Sequence, residues 1–255
     1  MAFMDFEIQA HRGARLFFPE NTLQAFFKAA DLGVRVVELD LVVSKDNKIV
    51  VSHDPWLSGP CTEGRLRSLI FDMAYSDIAS FKPLLSTIFT KVDAYMVSEG
   101  MNGQMVYNLE IKSWPDKDRI FHPAPDLYAD LVLQLIADAG VMDRVRIQSF
   151  DYRVIREAWK LNSQLSYGLL IEEAKNMEPF LHALGFVPQY VNPHFSLVDR
   201  EMTDYLHAKQ IRMIPWTVNR TEDMKAMKQL GAEGIITDDP EQALSLFGLQ
   251  EEVSD

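Results

Sequence analysis

The chain contains one cysteine, Cys61, in 255 residues, so no intramolecular disulfide can form and a reducing compartment is favoured. It has no apolar run near the ~18 residues of a membrane span, and stable membrane insertion is not expected. Its start, MAFMDFEIQAHRG, lacks the basic-then-apolar pattern of a signal peptide. The expected location is the cytoplasm, or the periplasm or exterior if a leader was removed. Cations are in short supply: 25 Lys and Arg against 37 Asp and Glu leave a net charge of −12, which repels nucleic acid and anionic surfaces at long range. An anionic substrate would need positive charge supplied locally, by a metal or by a few placed basic side chains. Also missing are a phosphate-binding glycine loop, a G-x-S-x-G elbow and any zinc-binding His pair. The number of subunits stays open.

What is present is ordinary globular composition, 47% hydrophobic and 24% charged, in a chain long enough to bury a large core without staples. Short β-rich runs alternate with helical stretches from end to end. Strand-like segments fall near 7–11, 36–43, 49–53, 106–112, 145–150, 167–171, 189–192, 212–217 and 234–237. Asn21 is a candidate cap for a helix whose apolar residues Leu23, Phe26, Phe27 and Ala30 share one face, with Gly33 closing it. Leu127 to Ala139 ends at Gly140, Asp151 caps the next helix, and Thr221 to Leu230 ends at Gly231. This grammar predicts an α/β fold: a single (β/α)8 TIM barrel over 1–255, with a small insertion at about 55–82 after the third strand. An open doubly wound sheet is the rival. Nine candidates for eight places leave one segment surplus, and the SKDN turn after Val43 marks a hairpin-like connection.

In VVELDLVV the side chains of Glu38 and Asp40 share one face of a strand. In YNLEIKS, Asn108, Glu110 and Lys112 do the same. Carboxylates crowded at a barrel mouth repel one another unless one is protonated or a cation lies between them, and oxygen ligands suit Mg²⁺ or Ca²⁺. The competing reading is a pair of ordinary solvated strand faces. Lys112 could hold a phosphate oxygen or simply pair with Glu110. His11 and His53 each close a β-run, followed by Arg12 or Asp54 as an orienting neighbour, and strand C-terminal ends are where barrel catalytic groups collect. His122, His182, His194 and His207 fall in loop or helix text and carry no expected role; of the four, His194 stands closest to a strand end, directly after YVNP. Trp216 ends a strand and would bring an indole to the mouth.

HRG at 11–13, PENT at 19–22, ELD at 38–40, SKD at 44–46, SHD at 52–54, EIK at 110–112, QSF at 148–150, WTVN at 216–219 and GIITD at 234–238 together resemble the glycerophosphodiester phosphodiesterase family, in its usual order. The resemblance spans about residues 8 to 245. It implies a TIM-barrel enzyme that hydrolyses a small glycerophosphodiester to sn-glycerol 3-phosphate and an alcohol with one divalent cation, Mg²⁺ or Ca²⁺. By that resemblance Glu38, Asp40 and Glu110 are metal ligands, His11 and His53 the general acid and base, and Arg12 and Lys112 phosphate contacts. Glu20 and Asn21 are read as support and helix cap. The stretch after the second His keeps only a trace of the family pattern, which bears on the alcohol rather than on the reaction. Phospholipase D-like or phosphoinositide-cleaving relatives on the same scaffold, and a non-catalytic phosphate- or polyol-binding barrel, are the alternatives.

Overall fold

The computed structural model of the protein describes residues 6–57, 68–79, 82–173 and 176–248. The chain runs β1 (Glu7–His11), α1 (Leu23–Asp31), β2 (Val36–Val43), β3 (Ile49–Val51), β4 (Trp56–Leu57), β5 (Ser68–Leu69) and α2 (Leu85–Ser98). It continues through β6 (Val106–Ile111), α3 (Pro125–Ala139), β7 (Val145–Ser149), α4 (Tyr152–Leu161), β8 (Ser166–Ile171) and α5 (Glu178–Leu184). The last third is β9 (Tyr190–Pro193), α6 (Arg200–Ala208), β10 (Arg212–Met213), α7 (Thr221–Leu230), β11 (Gly234–Thr237) and α8 (Pro240–Phe247).

Eight of these strands form a parallel sheet in the order β10, β9, β8, β7, β6, β2, β1, β11. The seam between β10 and β11 is bridged by Glu233 N donating to Met213 O, Ile236 N to Pro215 O and Val218 N to Ile236 O, at 2.9–3.0 Å. The sheet thus curls into a (β/α)8 barrel, as the alternation predicts. The surplus candidate is 49–53: β3 pairs antiparallel to β2, Leu41 opposite Val51 and Val43 opposite Ile49, outside the barrel order. Ser44 fixes that hairpin, its backbone N–H donating to Lys48 O and its Oγ accepting from Lys48 N, each at 3.0 Å. The run at 212–217 is strand only over Arg212–Met213, since Pro215 has no N–H for a ladder. Within the expected insertion, β4 and β5 form a small antiparallel pair followed by two short 3₁₀ turns. Cys61 and 58–67 lie outside the described residues.

Two helix starts differ from expectation. Thr22, not Asn21, caps α1, its Oγ1 accepting from Ala25 N at 3.3 Å. Asn21 instead sits at φ +59 with its amide turned inward. Helix α3 begins two residues early at Pro125, where the missing N–H has no helical partner to lose. Asp151 caps α4 as expected, accepting from Arg153 N at 3.0 Å, and Gly140 and Gly231 close α3 and α7 in the left-handed region.

Alternation sorts the strand residues between two environments. Val37, Leu39 and Leu41 of β2, with Tyr107, Leu109 and Ile111 of β6, face outward into the helix layer and are almost wholly buried. Burying each such side chain contributes about 1.5–3 kcal/mol before entropy. The opposite residues fill the barrel interior, and there the two halves differ. Tyr190, Ile214 and Ile236 make an apolar side with Trp216, while β1, β2, β6 and β7 contribute Gln9, Glu38, Asn108 and Gln148. Asn108 donates to Gln9 Oε1 at 2.8 Å and Asn192 to Gln148 Oε1 at 2.6 Å, so these buried amides are paired across strands. Among the described residues, no helix is long and apolar enough to cross a membrane.

Candidate active site

A cavity of about 420 Å³ opens at the carboxyl ends of the strands. His11, Arg12, Glu38, His53, Glu110, Lys112 and Trp216 all line it. Asp40 lies just behind, with no exposure, and its carboxylate joins Glu38 and Glu110 in a group whose ligand oxygens fall within 4.8 Å of one another. Register explains this meeting: Asp40 is directly opposite Glu110, and Glu38 opposite both His11 and Asn108. The eight residues expected to form a site therefore converge on one mouth.

The turn after β1 is built to grip two of these carboxylates. Arg12 is held at φ +53 and Gly13 at φ +81, where a Cβ would lie 2.8 Å from Ala25 of α1. Only glycine fits that approach. The turn brings Arg12 N to within 3.1 Å of Glu38 Oε2, to which it donates, and places Arg12 Nε 3.0 Å from Asp40 Oδ2 as an ion pair. The guanidinium also donates to both oxygens of Glu20, at 3.0 and 2.9 Å. Asn21 donates to Asp40 Oδ2 at 2.8 Å; its left-handed backbone serves the carboxylate cluster rather than the helix. Lys112 donates to Glu110 Oε1 at 2.6 Å and lies 3.7 Å from Asp40 Oδ1, with the rings of Trp114 and Phe150 centred 6.0 and 5.9 Å from its ammonium.

Charge in the cluster does not balance. Burial, together with the charges of Asp40 and Glu110, pushes Glu38 well above the usual carboxylate range. Burial also raises Glu110, to about 7, against the pull of Lys112. Burial acts to raise Asp40 too, but Lys112 and Arg12 outweigh it and hold that group below its ordinary value. Asp40 Oδ1 is buried without a hydrogen-bond partner. An orphaned buried oxygen beside two strained carboxyls is the donor set that a hard divalent cation satisfies.

The two imidazoles differ in setting. His11 is 9% exposed, its Nδ1 lies 2.6 Å from Asp238 Oδ1 and its Nε2 lies 3.9 Å from Glu38 Oε2. His53 is half-buried, with Nδ1 2.9 Å from the exposed Asp54. Burial lowers the pKa of His11, and burial with the Lys112 charge lowers that of His53. Both shifts favour the neutral ring. The orienting partner of His53 is its neighbour, as the sequence suggests. That of His11 is Asp238, not Arg12, which turns toward the carboxylates. Trp216 donates through Nε1 to Asn192 O at 2.8 Å, which fixes the indole at the cavity wall. His194 packs edge-on against Trp216 without reaching the cavity lining, and His122 is a buried brace that accepts from Trp114 N at 2.9 Å.

The fold is a TIM barrel that gathers two imidazoles, three carboxylates and two basic side chains at the carboxyl ends of its strands. A model of the glycerophosphoryl diester phosphodiesterase family matches residues 11–242, and the chain belongs to that family of phosphoric diester hydrolases. It is 29% identical over 248 residues to the glycerophosphodiester phosphodiesterase of Caldanaerobacter subterraneus subsp. tengcongensis, covering 93% of this chain and 96% of the relative. Among solved structures, the glycerophosphodiester phosphodiesterase of Thermotoga maritima superposes with a TM-score of 0.74 at 26% identity, covering 94% of this chain and 98% of that one. An Oleispira antarctica phosphodiesterase, solved with its product sn-glycerol-3-phosphate, gives 0.78 at 20% identity, covering 94% and 96%.

Proposed function

We propose that the protein hydrolyses small glycerophosphodiesters to sn-glycerol 3-phosphate and an alcohol, and that residues 1–255 act as one catalytic domain in doing so. The observation that carries this reading is the meeting of two imidazoles with a cluster of three carboxylates at one cavity. Glu38, Asp40 and Glu110 hold one divalent cation, Mg²⁺ or Ca²⁺. Bound there, the cation supplies Lewis-acid charge to the phosphoryl oxygens. Lys112 and Arg12 add positive charge to the same anion in a protein whose overall charge opposes it. Trp216 flanks the glycerol.

His11 and His53 share the proton transfers. One accepts the proton of the glycerol hydroxyl as its oxygen attacks phosphorus, and the other protonates the departing alkoxide, leaving a cyclic phosphate. Water then opens the ring with the two roles exchanged. The stretch at about 55–82 borders the cavity through Pro55 and bears on the choice of alcohol. Release of glycerol 3-phosphate from glycerophosphocholine, glycerophosphoethanolamine and glycerophosphoglycerol, with Mg²⁺, Ca²⁺ or chelator, tests the reading. Turnover that needs the cation supports it; absence of turnover on all three with either cation overturns it. His11→Ala and His53→Ala are each expected to lower kcat about 100- to 10,000-fold with calorimetric cation affinity unchanged.

A further inference from the structure

WTVN and GIITD close the seam of the barrel, yet the reaction above uses only Trp216 from them. Their last residues, Asn219 and Asp238, form a relay that ends on His11. Asp238 Oδ1 lies 2.6 Å from His11 Nδ1, and Asn219 Nδ2 donates to the other oxygen, Oδ2, at 2.8 Å. The orientation of the Asn219 amide is not arbitrary. Its Oδ1 accepts from the backbone N–H of Asp238 at 2.9 Å and from Thr237 Oγ1 at 3.2 Å, and a backbone N–H can only donate. The NH₂ of Asn219 therefore faces Asp238, and Asp238 must present an acceptor to it.

We propose that Asp238, clamped by Asn219, is the positioning residue for His11, fixing the tautomer that carries its proton on Nδ1 and offers a bare Nε2 to the reacting hydroxyl. A carboxylate only accepts, so the hydrogen bond at 2.6 Å requires the proton to sit on Nδ1. Nε2 is then the nitrogen left on the side of Glu38, 3.9 Å from its Oε2. When Nε2 takes the hydroxyl proton, the Nδ1 proton stays in place and Asp238 remains ionised, balancing the imidazolium. His53 has no such clamp, because its partner Asp54 is its exposed neighbour and makes no further side-chain bond among the described residues.

The geometry makes an unusual demand on the isosteric variant. In Asp238→Asn the new amide meets the donor NH₂ of Asn219 on one side and His11 on the other. If its oxygen faces Asn219, its NH₂ faces His11 and forces the proton onto Nε2, the wrong nitrogen. If it turns the other way, two NH₂ groups oppose each other. Asp238→Asn is therefore expected to be as harmful as Asp238→Ala, although it keeps the shape of the site. Adding Asn219→Asp supplies an acceptor opposite the new NH₂ and returns the amide oxygen to His11.

The inference rests on the acid–base role given to His11 above, and two measurements separate their failures. ¹⁵N NMR of the imidazole at pH 8 reads the tautomer without turnover. The expected result is Nδ1–H in the wild type, Nε2–H in Asp238→Asn, and Nδ1–H again in Asp238→Asn/Asn219→Asp. With glycerophosphocholine and Mg²⁺, Asp238→Asn should lose about 10- to 100-fold in kcat with KM nearly unchanged, and the double variant should recover most of it. An Nε2–H tautomer in the wild type overturns the inference whatever the variants do. So does wild-type kcat in Asp238→Asn, or a double variant no better than the single. Lack of turnover in the wild type, with the expected tautomer present, would instead fault the proposed reaction.

Discussion

The two ends of the barrel handle buried charge in opposite ways. At the amino ends of the strands, Glu7 receives two hydrogen bonds from Arg146, at 2.6 and 2.8 Å, and a third from Gln9 at 2.7 Å. Arg146 and Arg212 in turn stack near the ring of Tyr190. Burial acts to raise the carboxyl of Glu7, but Arg146 outweighs it and holds Glu7 below its ordinary value. At the carboxyl ends, three carboxylates share the charges of Arg12 and Lys112, and one buried oxygen accepts no hydrogen bond. In the first arrangement both oxygens of the carboxylate are paired, which serves stability. The second carries more negative than positive charge, the setting in which functional groups with shifted pKa values collect.

The sharpest way to break the contrast is to remove one mouth carboxylate. Glu38→Gln is expected to lower turnover more than about 1,000-fold while leaving the metal-free melting temperature unchanged or higher, because it deletes an acid that burial already disfavours. The wild type should gain about 2.7 kcal/mol of stability at a cation concentration 100 times Kd, and Glu38→Gln should gain none; calorimetric melts with Mg²⁺ and with chelator check both. The reverse manipulation is Arg146→Met, which strands Glu7. A loss of about 3 kcal/mol in urea denaturation is expected, with turnover near that of the wild type.

A smaller effect is expected from Asn21→Ala, which removes a hydrogen bond to Asp40 at 2.8 Å and burdens a left-handed position. Cation affinity should fall about 10- to 100-fold by titration calorimetry, with no change in the alcohol preferred. The smallest concerns pH. Because the folded pKa of Glu7 is depressed, its ion pair stabilises the fold above about pH 4.5 and loses that contribution as pH falls through the folded value. The urea midpoint of the wild type should therefore drop more steeply than that of Glu7→Gln below about pH 4.5.

Much of the architecture was legible because β-branched runs, caps and terminal glycines repeat with the βα period. The site carboxylates were legible for the same reason: alternation on β2 and β6 fixes which side chains share a face. What escaped is what alternation does not govern. Asp238 is 227 positions from His11 in the chain, and nothing local links them before the barrel closes. Asn21 reads as a cap because Asn at such a place usually is one, yet Thr22 beside it takes that task and frees the amide for Asp40. The surplus strand shows a similar limit. Ile49–Val51 has the composition of a barrel strand, and only the short SKDN connection, too brief for a crossover, reveals that it folds back.

The glycine at position 13 carries a consequence for anyone altering this enzyme. Because the chain there touches α1 with no room for a side chain, the turn, the helix and the carboxylate pair behave as one casting. Diversity aimed at new substrates belongs away from that casting, on the part of the cavity wall around Leu170 and Glu172.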